Sequence, residues 1–353
     1  MAQQHGPPPR SELPRDSRWE GETKLMTHRS QAPVRRVVAR LAPLAVLLSL
    51  GMACDLIPGF GSPGPEVSVE ADAALRKGDL PGASAQYASL AEDHAESTHV
   101  AIGQAYMQVL RGDHAGADAT LAAVEESAGD MIGQLKLRRA LVAVEAGDVD
   151  GVKRHGLASG LPEGKLLAAE GHMADIESEE AGPILREIAE TPGVVGQTAK
   201  SYLALLDSGD QIKVGVAETT ALWALGDRQG ACENIEELVT LLPEEDSQKS
   251  ALLLLWAGRA ATSGQTSVAS NLLDELSFPP EGQAWRVQAT RAIISAADGE
   301  MDEAVRIFDA LDEGGAPADG LADARATACA LVTDRTAAKR LVGDLESPAI
   351  ARC

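Results

Sequence analysis

The chain of 353 residues carries a formal net charge of −22, and aromatic residues make up only 3% of it although 44% is hydrophobic. The acidic excess argues against a nucleic-acid-binding protein, because that function needs a basic surface. The scarcity of aromatic residues and of Thr and Val runs argues against a β-sandwich or barrel. The apolar content is too high for a chain that is disordered throughout.

Residues 1–33 are polar and proline-rich, and no apolar periodicity runs through them. This composition predicts disorder. Met26 lies shortly before a targeting signal, so the sequence also allows a start of translation at that residue.

Residues 34–53 have the features of a signal peptide. Arg35, Arg36 and Arg40 precede a run of 13 uncharged residues over 41–53. The run is too short to cross about 30 Å of hydrocarbon as a helix, but it has the length of the apolar part of a signal peptide. A buried core helix is the alternative, which the basic flank and the small residues at the end of the run disfavour.

The apolar run ends in Leu50-Gly51-Met52-Ala53-Cys54. This segment resembles the lipobox of bacterial lipoproteins, although Leu50 stands one position further from the cysteine than usual. The resemblance implies cleavage before Cys54, acylation of that cysteine and a lipoprotein held at the periplasmic face of the inner or outer membrane. Two or more acyl chains would anchor it stably. Ordinary secretory cleavage and an uncleaved anchor are the alternatives.

Residues 54–66 follow as the lipidated cysteine and a linker, with three Pro and three Gly between positions 55 and 66. Such a segment predicts a tether. Residues 1–53 contain eight basic and four acidic residues, so the chain from Cys54 onward carries a net charge of −26. Residues 346–353 are interpreted as a short tail.

Residues 67–345 repeat one pattern with a period close to 34 residues. An Ala- and Leu-rich segment ends in Gly-Asp or a similar pair. A small residue follows five positions after the Gly and a larger apolar residue nine positions after it. The Gly residues of these pairs are Gly78, Gly112, Gly147, Gly226, Gly264 and Gly299. A Gly ends one helix in the left-handed conformation, and an Asp caps the next, so the pattern predicts antiparallel helix hairpins that cover one another's apolar faces.

The period and the signature at 78–87, 226–235 and 299–308 resemble the tetratricopeptide repeat family, as does Ile102-Gly103 with Tyr106; in the three segments Gly-Asp or Gly-Glu is followed by Ala and then by Tyr, Ile or Phe. The resemblance implies an all-α solenoid, a right-handed superhelix of seven or eight hairpins, with first helices that line a groove for a protein or peptide. The register is lost over 165–215, where a helix pair and a further helix over 198–206 can still be read.

Four residues are candidates for the partner-binding groove: Trp223, Arg138, Arg139 and Gln104. By the family's spacing Trp223 points toward the groove, whereas Trp256 is expected in the core and Trp285 lies near a first helix. Aromatic and Arg side chains are frequent anchors at interfaces. Arg138 and Arg139 offer a basic spot for a carboxylate terminus; the alternative is that both are ordinary solvent-facing charges.

No phosphate-binding Gly-rich loop, nucleophile elbow, HExxH or paired CxxC occurs in the sequence. His94 and His99 are spaced by five residues, which is unsuited to metal binding from one helix face, and a solvated polar turn is the expectation there. Cys232 and Cys329 lie in apolar helical patterns and are expected to be buried free thiols.

The sequence therefore predicts an envelope-anchored scaffold that binds a protein or peptide, with no catalysis, cofactor, metal or nucleic acid. One alternative is a helical module that binds or modifies peptidoglycan or another glycan. Another is an accessory subunit of an outer-membrane assembly complex.

Overall fold

The structure is a computed structural model that describes residues 68–342. The predicted disordered segment 1–33, the signal peptide 34–53, Cys54 with the linker 54–66, and the tail 346–353 all lie outside the described residues. Within the described part the chain is all-α and has no strand. The prediction of an all-α helical array is therefore confirmed for this part of the chain.

Residues 68–342 contain seventeen α-helices and one short 3-10 helix, Gly129–Met131, joined by turns and short loops. The α-helices in chain order are α1 (Val69–Arg76), α2 (Leu80–Asp93), α3 (Thr98–Leu110), α4 (His114–Ala123), α5 (Ile132–Ala146), α6 (Val149–Ser159), α7 (Pro162–Ala174), α8 (Ser178–Ile188), α9 (Val194–Leu206), α10 (Gln211–Ala224), α11 (Arg228–Thr240), α12 (Ser247–Thr262), α13 (Thr266–Asp274), α14 (Ala284–Ala297), α15 (Met301–Glu313), α16 (Ala318–Leu331) and α17 (Arg335–Val342).

Sixteen of these helices form eight hairpins, and α9 stands alone between the fourth and fifth. The first helices of the hairpins are α1, α3, α5, α7, α10, α12, α14 and α16, and the second helices are the ones that follow each of them. First helices also pack on one another, α3 on α5, α5 on α7 and α7 on α10, and then α12 on α14 and α14 on α16. The result is a solenoid-like stack of consecutive hairpins.

The elbows inside the hairpins follow the chemistry that the Gly-Asp pairs predict. Gly112 takes a φ of +78°, which only Gly adopts without strain, and ends α3. Asp113 then caps α4 by accepting a hydrogen bond from the backbone N–H of Gly116, at 2.9 Å. The same cap bond occurs at three other elbows, formed by Asp79, Asp148 and Asp227.

The small residue five positions after each elbow Gly is fully buried, as in Ala117 and Ala304, and lets the two helices of a hairpin approach closely. The larger residue nine positions after it fills the space beside that contact. Tyr87 and Phe308 at this position are 1% and 0% exposed, and burial of such a side chain contributes about 1.5–3 kcal/mol. In the third hairpin the position is Gly156, where an added Cβ would lie 2.5 Å from the carbonyl oxygen of Gly164. There α6 and α7 pack backbone against backbone.

The loss of register over 165–215 has two causes. At the elbow between α7 and α8 the left-handed residue is Ile176, with a φ of 63°, where six of the other elbows have a left-handed Gly. Helix α9 then adds a helix outside the hairpin repeat, packed on α8 and α10. The helix pair and the further helix read from the sequence in this region correspond to α7, α8 and α9.

The two cysteines that the sequence places in helical patterns differ. Cys232 is a buried free thiol, as predicted. Cys329 is buried but disulfide-bonded, so the expectation of a free thiol is wrong at that position.

Across residues 68–342, no helix combines the length and the apolar character that crossing a bilayer requires.

Candidate functional site

Two tryptophans meet where the fifth hairpin packs on the sixth. Trp223 lies near the end of α10, and Trp256 lies in α12. Their rings are in edge-to-face contact, with centroids 5.6 Å apart and an interplanar angle of 78°, a favourable geometry for aromatic pairs. Trp256 is fully buried, as the sequence predicts, whereas Trp223 stays partly exposed.

An arginine lies over each of these rings. The Cζ atom of Arg228, the first residue of α11, is 5.7 Å from the ring centroid of Trp223. The Cζ atom of Arg259, one turn beyond Trp256 in α12, is 4.5 Å from that ring's centroid. We call Arg228, Trp223, Trp256 and Arg259 the Trp–Arg stack. Both arginine residues are partly exposed, and both guanidinium groups face aromatic rings as cation–π partners.

The cations of the Trp–Arg stack are poorly neutralised. Burial lowers the pKa of Arg228, and Glu145 of α5 acts in the opposite direction. Burial also lowers the pKa of Arg259, with the Tyr202 hydroxyl opposing it. Among residues 68–342 no carboxylate lies within 4.0 Å of either guanidinium. The Nη1 atom of Arg259 and the Nε1 atom of Trp256 are buried and have no hydrogen-bond partner there.

A buried carboxyl is hydrogen-bonded to Tyr202, the same residue that acts on the pKa of Arg259. Glu170 of α7 is 6% exposed and accepts a hydrogen bond of 3.2 Å from the hydroxyl of Tyr202 in α9. Burial raises the pKa of Glu170 to about 7, although the bond from Tyr202 lowers it. The inserted helix α9 thus brings a phenol between a carboxyl of α7 and the guanidinium of α12.

The candidates Arg138 and Arg139 do not form one basic spot. Arg139 turns toward the preceding hairpin, where its Nε donates to Asp118 at 2.7 Å and its Nη1 to Glu125 at 2.6 Å. Its side chain is only 13% exposed, so the alternative of an ordinary solvent-facing charge is wrong for Arg139. Arg138 has no ion pair within residues 68–342, and its buried Nη2 has no partner there. Burial lowers the pKa of Arg138 to about 10.

The remaining groove candidate, Gln104, and the third tryptophan near a first helix, Trp285, are less defined by their surroundings. Gln104 lies on α3 and is partly exposed, and no hydrogen bond within the described range joins it to the Trp–Arg stack. Trp285, near the start of α14, is partly exposed and lines a cleft of about 560 Å³ together with Ala310 and Gly315. The structure therefore brings the rings of Trp223 and Trp256 into contact. Among the described residues, neither Gln104 nor Trp285 makes a hydrogen bond or a ring contact with these two tryptophans.

The two histidines read as a polar turn behave differently. His94 is exposed beyond α2, as expected for a solvated turn. His99 is not, since its side chain is 11% exposed and its Nε2 lies 3.2 Å from the Oδ2 of Asp72 in α1. The Tyr87 hydroxyl also donates to Asp72, and burial raises the pKa of Tyr87. No group of three or more possible metal ligands occurs among residues 68–342.

Sequence reasoning missed both arginines of the Trp–Arg stack. Arg259 follows Trp256 by three residues, a helical spacing that puts the two side chains on one face and so could have indicated their contact. Arg228 follows Trp223 by five residues across an elbow, and no helical periodicity indicates that pair. Glu170 gave no signal, because it is a single acidic residue in an Ala-rich helix.

No protein-family model matches this sequence, and no curated protein matches it either. The functional argument therefore rests on the residues and contacts described above.

Proposed function

We propose that this protein is an envelope-anchored lipoprotein whose tetratricopeptide-like hairpin array binds a protein or peptide along its first helices, without catalysing a reaction. The observation that carries the proposal is the Trp–Arg stack. Trp223, Arg228 and Arg259 are partly exposed and rest on the buried Trp256, and Trp and Arg are residue types that dominate binding energy at interfaces.

The arrangement of the array supports a binding role. First helices α3, α5, α7 and α10 pack on one another in one run and α12, α14 and α16 in a second, and the ring contact between Trp223 and Trp256 joins the two runs. The Trp–Arg stack draws its four side chains from α10, α11 and α12, and Glu145 of α5 acts electrostatically on Arg228. A partner laid along the first helices would contact several hairpins at once.

The anchor rests on the sequence before the array. The basic residues before position 41, the uncharged run over 41–53 and Cys54 match the order of a lipoprotein signal, and the linker over 55–66 would hold the array off the bilayer. The net charge of −26 beyond residue 53 would keep the array away from anionic lipid headgroups.

A site-specific photo-crosslinker tests the binding surface. We expect a crosslinker at Gln104, on first helix α3, to capture a partner in intact cells. A crosslinker at Ala119, exposed on second helix α4 of the same hairpin, is the matched control and should capture little. Equal capture at the two positions, or capture at Ala119 alone, would contradict binding along the first helices. Co-sedimentation with purified peptidoglycan and no protein crosslink would favour the glycan-binding alternative.

Membrane fractionation tests the anchor. Replacement of Cys54 by Ala removes the proposed acylation site, so the protein should move from the membrane to the soluble fraction. Replacement of Cys353 by Ala removes a cysteine elsewhere and should leave the protein with the membrane. A Cys54→Ala protein that still pellets with membranes in high salt would refute lipid anchoring.

A further inference from the structure

Cations that lose contact with water in this array have a carboxylate beside them almost everywhere. Lys153 Nζ lies 2.6 Å from Asp175, Arg139 lies 2.7 Å from Asp118, and Arg325 lies 2.6 Å from Asp312. Arg138, Arg228 and Arg259 are exceptions: burial lowers the pKa of each, and no carboxylate of residues 68–342 lies within ion-pair distance of any of them. Of the three, Arg228 and Arg259 also lie over tryptophan rings. An uncompensated cation away from water is costly to the folded state.

The polar atoms near Arg259 that lack a hydrogen-bond partner within residues 68–342 are all donors. Its Nη1 atom and the Nε1 atom of Trp256 are both buried donors without an acceptor, and Trp256 is 0% exposed. Guanidinium and indole groups have no acceptor atom, so the two cannot satisfy each other. What the site lacks is an acceptor, and beside a guanidinium an anionic acceptor restores the most of the lost solvation.

We propose that the Trp–Arg stack is a carboxylate-binding site, in which Arg259 binds a carboxylate of a partner peptide, Arg228 adds a second positive charge, and the partly exposed ring of Trp223 covers the aliphatic stem. This inference rests on the proposed peptide-binding function and names the chemistry of the peptide. A carboxylate fits the guanidinium fork with two parallel hydrogen bonds. A single negative charge also suits the site better than a dianion, because Glu145 already acts on Arg228 and Glu170 lies beyond Tyr202.

The acidity of the whole array does not prevent this binding. At physiological salt the repulsion between exposed charges is screened beyond about 8 Å, whereas a partly buried pair is screened much less. The net charge therefore slows the approach of an acidic peptide, and the unpaired guanidinium groups determine how long it stays bound.

The test uses the full chain and three tetrapeptides: N-acetyl tetraglutamate amide, N-acetyl tetraglutamine amide, and N-acetyl tetraglutamine with a free C-terminal carboxylate. Binding is followed by calorimetry and by tryptophan fluorescence. We expect tetraglutamate amide to bind at least about 10-fold more tightly than tetraglutamine amide, as hydrogen bonds to a charged group imply. Tight binding of the free-acid tetraglutamine would also support a carboxylate site and would assign the ligand to a peptide C-terminus.

The variants Arg259→Met and Arg228→Met should each weaken carboxylate binding about 10- to 100-fold. Arg291→Met is the matched control, because Arg291 is an exposed arginine on first helix α14 and its loss should leave binding unchanged. Arg259→Met should melt at the same temperature as the unaltered protein or higher, since it removes an unpaired cation. A loss of binding in that variant then cannot be attributed to unfolding.

Three results would overturn the inference: no preference for either carboxylate peptide over tetraglutamine amide, undiminished binding by Arg259→Met, or an equal loss in Arg291→Met. The crosslinking experiment at Gln104 does not depend on carboxylate. A partner captured there with no carboxylate preference would preserve the scaffold function and refute this inference alone.

Discussion

Two buried carboxyl groups, Asp72 near the start of residues 68–342 and Glu170 in the middle, differ in how completely they are bonded. Near the start, Asp72 is 3% exposed and receives bonds from Ser68 at 3.2 Å and from Tyr87, with His99 Nε2 also 3.2 Å away. In the middle, Glu170 is 6% exposed and receives a single bond, from Tyr202. Both are carboxyl groups beside a tyrosine, yet one sits in a network and the other has one partner.

The arginines show the same contrast. Arg325, near the C-terminal end, lies 5.0 Å over the Phe308 ring and donates to the Leu341 carbonyl at 2.7 Å and to Asp312 at 2.6 Å. Arg259, in the middle, lies 4.5 Å over Trp256 and has no ion pair among the described residues. The two arginines share a stacking geometry and differ in their polar partners.

The positions of these four groups suggest a reason for the difference, although Lys153 and Lys249, also in the middle, are paired with Asp175 and Glu244. A terminal hairpin has a neighbour on one side only, so polar bonds must supply cohesion that packing supplies elsewhere. A middle hairpin is held by neighbours on both sides and can tolerate a polar group that weakens it. We infer that the incompletely bonded groups in the middle are retained for binding, which is the basis for the predictions that follow.

The largest expected effect is the pH dependence due to Glu170. Burial raises its pKa to about 7 in the folded protein from an ordinary 4.5, so the folded state binds the proton more strongly than the unfolded state. The stability that this provides is present below pH 4.5 and is lost as the pH rises to 7, a change of about 3 kcal/mol. Chemical denaturation at a series of pH values should show that the free energy of unfolding of Glu170→Gln no longer falls by this amount between pH 4.5 and 7.

The exposed Glu126 provides the control for this experiment. Glu126→Gln should follow the pH dependence of the unaltered protein. If the curves for Glu170→Gln and the unaltered protein run parallel between pH 4.5 and 7, Glu170 is not held as described, and the contrast between the middle and the ends weakens.

The second prediction compares the two arginines directly. Arg325→Met removes the bonds from α16 to Leu341 and Asp312 and should lower the free energy of unfolding by about 2 kcal/mol, the value of hydrogen bonds to a charged group. Arg259→Met should leave the free energy of unfolding unchanged within error. Urea denaturation gives both values, and amide exchange over 336–341 should rise only in Arg325→Met. Equal losses of unfolding free energy in the two variants would contradict the proposed difference between Arg325 and Arg259.

The third prediction concerns the packing that supports the Asp72 network. A Cβ on Gly103 would lie 2.1 Å from Cε1 of the buried Tyr87 ring, so Gly103→Ala must displace the ring from Asp72. We expect a loss of about 2 kcal/mol, as in other overpacked cores. Gly258→Ala in α12 meets no atom within 4 Å and should instead gain up to about 1 kcal/mol from helix propensity. Thermal denaturation of both variants checks the opposite signs.

Most of the hairpin fold could be predicted from the sequence, because its signals are local. A Gly that must take a positive φ and an Asp that caps the next helix act within a few residues, and both repeat with a period near 34. The prediction failed where an elbow uses a different residue. Ile176 takes the left-handed conformation at φ 63°, and no sequence rule expects a β-branched residue there.

The candidate site was less predictable, because its main property is the absence of a partner. Trp256 could be placed in the core from its spacing to the elbow Gly, and its full burial confirms this; Trp223 is partly exposed, and its place in a groove stays a prediction. Whether Arg259 meets a carboxylate depends on which side chains α9 and α7 bring near α12, and such contacts join residues more than fifty positions apart. Periodicity within a helix carries no information about them.

The smallest expected effects separate local capping from this long-range bonding. Asp113 accepts from the Gly116 backbone at 2.9 Å, whereas Glu300 at the equivalent position of the seventh hairpin makes no side-chain cap bond. Asp113→Ala should lower the free energy of unfolding by about 1 kcal/mol, and Glu300→Ala should change it by at most a few tenths. The seventh hairpin lacks this cap, but its Asp312 accepts a hydrogen bond from Arg325. We therefore expect Glu300→Ala to leave the free energy of unfolding unchanged in the unaltered background and to lower it only when Arg325→Met is also present. A double-mutant cycle would show coupling between positions 300 and 325 if loss of the arginine makes the elbow depend on local capping, and strict additivity would show that the C-terminal end does not rely on Arg325 in this way.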